Sequence, residues 1–166
     1  MSFSFPLKPA QHPTALRTSQ LLRDAGVNAR VVEFEQATRT SAEAAAAIGC
    51  SVAEIAKSVV FRGQHSGQAV IVVASGDNRV SEAKVAAILG EPLTRADADF
   101  VRTTTGYAIG GVAPIGHSQP VTLLLDENLQ RFDTVWAAGG TPFSVFPLRP
   151  DQLRSLTGAD WADVRQ

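Results

Sequence analysis

Ala69-Val70-Ile71-Val72-Val73-Ala74 is apolar at every position, with none of the polar alternation of a half-exposed strand. A run of that length predicts a central strand covered on both faces. Ahead of it, Lys57 to Arg62 reads as a second strand, and Gly63 to Gly67 as the turn joining the two. Further strands are expected at Ala29 to Phe34, Val121 to Leu125, Thr134 to Ala137 and Phe143 to Phe146.

Helical patterns separate these runs. Thr14 to Ala25 is one, stopped by Gly26. Thr40-Ser41-Ala42-Glu43 has the spacing of a capping box ahead of an alanine-rich helix ending near Gly49. Ser51-Val52-Ala53-Glu54 repeats it before a short helix running into Lys57. Ser81 to Leu89 puts Val85, Ile88 and Leu89 on one face and closes at Gly90. Asp97 caps a short helix toward Thr103, and Pro150 to Leu156 is the last. Residues 1–12, with Pro6 and Pro9, read as an extended lead-in. Helices and strands mix without strict alternation. The expected fold class is therefore α/β of the α+β kind, one domain over 1–166 with a mixed sheet.

Composition narrows the function classes. The chain has 166 residues, 45% of them apolar and 19% charged, which suits one globular core. The apolar run at 69–74 falls far short of the ~20 residues of a membrane-spanning helix, so no membrane partner is expected. Met1 to Pro6 lacks a basic region followed by an apolar stretch, so no secretory signal is expected either. Cys50 is the single cysteine, which excludes an internal disulfide and suits a cytoplasmic location. It reads as a packed structural thiol. With one cysteine, and with His12 and His65 lacking ligand-like neighbours, no metal site and no cofactor is expected. The net charge of -1 argues against general phosphate attraction, so DNA is not an expected partner and any RNA contact would be local.

Two segments carry candidate chemistry. Arginine outnumbers lysine twelve to three, and one of the three lysines, Lys57, opens an apolar strand on the face it shares with Val59 and Phe61. A solvated, snorkelling lysine and a functional, partly desolvated one both fit this placement. The second segment runs from Thr105 to His117 and includes Tyr107, Gly110, Gly111, Val112, Ala113, Pro114 and Gly116. Its glycines let backbone amides approach an oxyanion, and Pro114 stiffens the turn; a purely structural turn fits as well. The stretch Gly111 to Ser118 departs from a nucleotide-binding loop because His117 stands where lysine is required and Pro114 interrupts it. His117 suits an ordinary loop hydrogen bond or a proton relay. Asp77 and Arg79 lie just beyond the central strand, where a turn-stabilising role and a ligand contact are both open.

In order, Thr40 to Gly49, Glu54 to Phe61, Gly76 to Val80 and Thr105 to Gly116 make the chain resemble the YbaK-type aminoacyl-tRNA deacylases. These are relatives of the editing domain inserted in bacterial prolyl-tRNA synthetases. The resemblance implies a compact fold with a curved mixed sheet surrounded by helices, and a freestanding, trans-acting hydrolase without a metal, cleaving the ester between a small amino acid and the 3′-terminal adenosine of a mischarged tRNA, such as tRNA-Pro. It puts Lys57 at the functional lysine position and Gly110, Gly111 and Pro114 in the loop that holds the aminoacyl group. A synthetase is a possible partner on this reading. The rival readings are a non-catalytic tRNA-binding or synthetase-associated module and a small-molecule esterase.

Overall fold

A computed structural model describes residues 7–166; the lead-in expected over the first six residues lies outside them. The sheet is built around one hairpin. β3 (Ile55–Gly63) pairs antiparallel with β4 (Ala69–Ser75) from Ala56↔Ser75 to Arg62↔Ala69. Gly67, at φ +71°, supplies the left-handed residue of the turn and donates its N–H to the Gly63 carbonyl.

Every residue of β4 is buried, as its unbroken apolar run predicts. Ile71 and Val73 point into a core shared with Leu125, Val135, Phe146 and Leu153. Val70, Val72 and Ala74 point the other way, against Val85, Leu124 and Val164. The remaining strands are β1 (Lys8–Pro9), β2 (Val32–Glu33), β5 (Leu93–Arg95), β6 (Thr122–Asp126), β7 (Val135–Ala138), β8 (Ser144–Leu148) and β9 (Trp161–Ala162). They line up as β1-β2-β8-β7-β3-β4-β6-β9, with β5 added to β3. β3 pairs parallel with β7, and β4 with β6, so the sheet is mixed.

Five helices cover it: α1 (Pro13–Asp24), α2 (Ser41–Ile48), α3 (Glu82–Leu89), α4 (Ala98–Thr105) and α5 (Pro150–Thr157). Their starts are set by side chains that accept otherwise orphaned amides: Thr40 from Glu43, Ser81 from Lys84 and Asp97 from Phe100. α2 buries Ala44, Ala45, Ala47 and Ile48 against Phe34, Ile55 and Val145.

Four expectations change. The second capping box, in which Glu54 Oε1 accepts from the Ser51 N–H at 2.9 Å, closes only a 3-10 turn at Val52–Glu54, and β3 begins at once. The strand expected over 29–34 narrows to β2, whose ladder pairs with β1 and β8 are confined to 32 and 33, with single backbone bonds from Ala10 to the Val31 carbonyl and from Phe34 to the Phe143 carbonyl at its ends. Ile88 is 49% exposed, because α3 buries Val85 alone of the expected trio, with Leu89 at the margin. Within the lead-in, Lys8 and Pro9 pair with β2.

Candidate active site

β3 has two flanks. β4 occupies one along its length; β7 and β5 share the other. β7 pairs with Ile55 and Ala56, and β5 with Phe61 to Gly63. Between them β7 turns away into β8, and the chain after β5 turns into α4. The flank from Lys57 to Val60 therefore opens into a cleft of about 470 Å³. Its walls include Thr38 to Ser41, Trp136, Thr141 and Ser144; Ala96, Val101 and Val112 lie on the side of the main core.

Lys57 lines this cleft and is half-buried. Its Nζ donates to the Gly76 carbonyl at 3.4 Å. Burial pulls its pKa below the ordinary lysine value; the Asp77 and Asp126 carboxylates oppose this, and Arg79 reinforces it. The turn that holds Gly76 is itself anchored. Buried Asp126 accepts from the Ser75 N–H at 3.0 Å, from Asn78 Nδ2 at 2.8 Å and from the Asn128 N–H at 3.0 Å. Asp77 accepts from Ser75 Oγ and pairs with Arg131 at 3.4 Å.

The glycine loop divides. Gly110 and Val112 line the cleft together with Lys57. Gly111 seats the loop on the opposite wall, where a side-chain carbon would come within 2.7 Å of the Thr141 backbone. Its N–H is committed to the Ala108 carbonyl at 2.9 Å, whereas the Gly110 and Val112 amides find no acceptor among the described residues.

The rest of the loop turns inward. Ala113 and Pro114 are buried behind the cleft wall. Tyr107, 1% exposed, donates to the Ile115 carbonyl at 2.6 Å and accepts from Arg17 at 3.3 Å. Gly116 gives its carbonyl to Arg17 at 2.9 Å, tying the loop to α1. His117 Nε2 lies 2.8 Å from the Ala113 carbonyl, and burial lowers the pKa of this ring. Its ring meets Tyr107 edge-on at 6.2 Å. Asp77 and Arg79 are exposed and lie outside the cleft lining. The structure therefore brings Lys57, Gly110 and Val112 to the cavity and gives Tyr107, Ala113, Pro114, Gly116 and His117 positions that support the loop. Inward apolar burial and internal hydrogen bonds account for that division.

Sequence reasoning passed over Arg39, Trp136, Thr141 and Ser144 as cleft residues. Gly139-Gly140-Thr141-Pro142 has the composition of a turn, but nothing local in it shows that it faces Gly111. Arg39 and Lys57 are the charged residues of the lining, which contains no carboxylate. Such a cleft favours an anionic or electron-rich ligand. Cys50 lies outside it; burial and Glu54 push its thiol up to about 11, so it packs as an inert thiol. Among the described residues no group of three His, Cys, Asp or Glu is placed to hold a metal, and no helix is long and apolar enough to cross a membrane.

The aminoacyl-tRNA editing domain family matches over residues 35–156. The uncharacterized protein YwhH of Bacillus subtilis is 36% identical over 135 residues, covering 81% of this chain and 85% of that protein. A protein of Enterococcus faecalis provisionally named as the Cys-tRNA(Pro)/Cys-tRNA(Cys) deacylase EbsC is 28% identical over 75% of this chain and 76% of its own. The crystal structure of a protein provisionally described as a trans-editing enzyme for prolyl tRNA synthetase superposes with a TM-score of 0.89. It is 43% identical, and the match covers 95% of this chain and 99% of that one.

Proposed function

The chain belongs to the aminoacyl-tRNA editing domain family, and from that premise we propose that it is a trans-editing deacylase. Its substrate is a tRNA mischarged with a small amino acid, with tRNA-Pro the first candidate, suggested by the names of its relatives. The observation that carries this reading is that Lys57, Gly110 and Val112 line one cleft without a carboxylate, and that the amides of Gly110 and Val112 have no acceptor among the described residues.

The chemistry follows from those groups. Water attacks the ester carbon, the carbonyl oxygen takes the negative charge, and the ribose oxygen leaves with a proton as the amino acid departs. Amides aimed at that oxygen hold the developing charge, and losing one such donor costs about 10²–10³ in rate. The Lys57 ammonium supplies the positive charge, toward the oxyanion or the terminal phosphate. Burial lowers its pKa while Asp77 and Asp126 oppose that, and the bond to the Gly76 carbonyl is one an ammonium donates, so we assign it the charge-stabilising role rather than that of a base.

The test is incubation of the purified protein with a panel of mischarged tRNAs, followed by release of free amino acid. Release of a small amino acid is the expected result. Protection of the ester without release would instead make the protein a tRNA-binding or synthetase-associated module. Inertness toward every aminoacyl-tRNA would turn attention to small esters.

A further inference from the structure

The gap in the pairing of β3 exposes main-chain groups whose direction is set by the ladders on either side. The Gly63 N–H donates to the Gln68 carbonyl on the β4 side, so the odd-numbered residues of β3 direct their main-chain groups toward β4. The Gln64 N–H donates to Pro92 and the Arg62 carbonyl accepts from Thr94 Oγ1, both on the opposite side. By the same alternation, the N–H and C=O of Ser58 and Val60 point across the open flank into the cleft. No described residue bonds to the Ser58 pair, whereas the Phe61↔Arg95 register sets the Val60 carbonyl opposite the Ala96 N–H.

We propose that this open flank binds the aminoacyl group as one residue of an added strand. In that pairing the substrate α-ammonium donates to the Ser58 carbonyl, and the ester carbonyl accepts from the Ser58 N–H. An α-aminoacyl ester has the donor and acceptor of a peptide residue at the same spacing, so it fits a hydrogen-bonded antiparallel position. The inference rests on the deacylase reading and specifies how that site holds its substrate.

The length of the open flank selects this ligand over a longer one. β7 and β5 close the flank at both ends, leaving Lys57 to Val60, roughly 13 Å of strand. A peptide strand cannot run through that window, but a single residue enters it. The charged residues of the lining, Arg39 and Lys57, disfavour an ammonium, so the Ser58 carbonyl must offset that repulsion as its neutral acceptor. The ester oxygen then sits between the Ser58 amide on the strand and the Gly110 and Val112 amides on the loop, and these become the donors of the oxyanion site. A substrate side chain opposite Ser58 shares its face, which it meets beside Ala96, Val101 and Val112. That wall suits a small group.

Two measurements test the pairing. In hydrogen exchange on the free protein, the Ser58 and Val60 amides should exchange at least about tenfold faster than those of Val59 and Phe61, which lie in the β4 ladder. Comparable protection of all four would overturn the open flank. The second measurement uses the best aminoacyl-tRNA of the panel and its des-amino counterpart, alanyl against propionyl for example. Each enzymatic rate is divided by the spontaneous hydrolysis of the same ester, because an α-ammonium activates the ester by itself. Loss of a charged hydrogen bond should slow the des-amino ester by about tenfold or more. A smaller ratio overturns the pairing while the deacylase stands; failure to release any amino acid removes both. S58P, which removes an amide pointing away from β4 and keeps the extended backbone that Lys57 and Ser58 already have, should keep a cooperative thermal melt and lose about 10²-fold in turnover. Full turnover by the folded variant would overturn the pairing. If it does not fold, the ester comparison decides.

Discussion

Lys57 Nζ lies 3.4 Å from the carbonyl oxygen of Gly76, so the cation of one hairpin strand is tethered to the end of the other. The contact exists because β4 stops at Ser75 and the following turn is clamped by Asp126. Gly76 has no room for a side chain: a methyl group there would meet the Val52 carbonyl and come within 3.1 Å of Ile55 and Ser41. The ammonium is thus held at the cleft by a rigid acceptor.

Removal of that charge should separate catalysis from folding. Lys57→Ala leaves the core intact and forfeits one weak hydrogen bond, so unfolding free energy should change by less than about 1 kcal/mol. Single-turnover deacylation should fall by at least about 10²-fold. Near-normal turnover by a folded K57A protein would refute the charge-stabilising role.

The alkaline limb of the pH profile should report the same group. Burial holds Lys57 below its ordinary value of 10.5, so kcat/KM, corrected for spontaneous hydrolysis, should decline at a lower pH than a free lysine would give. Asp77 favours the ammonium, and Asp77→Asn should move the midpoint further down. Arg79→Gln should move it up. A midpoint unmoved by both changes would detach the limb from Lys57.

Gly111 and Gly110 should respond differently to alanine. At Gly111 the new carbon collides with backbone at 2.7 Å, which cannot rotate aside, so the loop must lift from the Thr141 turn. Overpacking of that kind costs about 1–3 kcal/mol, and turnover should fall with it. At Gly110 the space is open, the nearest contact being Pro142 at 3.9 Å, and the penalty comes from φ +88° alone. Urea denaturation should rank G111A as the less stable variant; the reverse order would contradict the seating of the loop.

His117 should make the fold sensitive to mild acid. Burial depresses its pKa below the ordinary 6.5, so between the two values the unfolded chain binds a proton that the folded ring refuses. Stability should therefore decline as pH falls below 6.5, and the decline should be smaller in His117→Asn. Equal losses in both proteins between pH 7 and pH 5, measured by chemical denaturation, would assign the effect elsewhere.

Much of the scaffold can be read along the chain. Thr40 and Asp97 cap the helices expected of them, the helix expected from Ser81 starts at Glu82 with Ser81 as its cap, and the buried β4 follows from an apolar run with no polar break. β1, β5 and β9 escaped notice because two or three residues are too few to display a period. Within the site, Lys57 and the glycine loop were visible as segments. Which loop atoms reach the cavity was not, because Tyr107 and Ala113 face the core only once α1 and the loop are docked.

Local order along the chain determined the elements, their caps and the family motifs, since each depends on neighbours a few positions apart. Tertiary structure alone decided that Lys57 and Gly110 line one cleft, and that β3 is left unpaired between β7 and β5. The reason is geometric. A strand's free flank is defined by where its neighbours stop, and those neighbours lie thirty or more residues away in the chain.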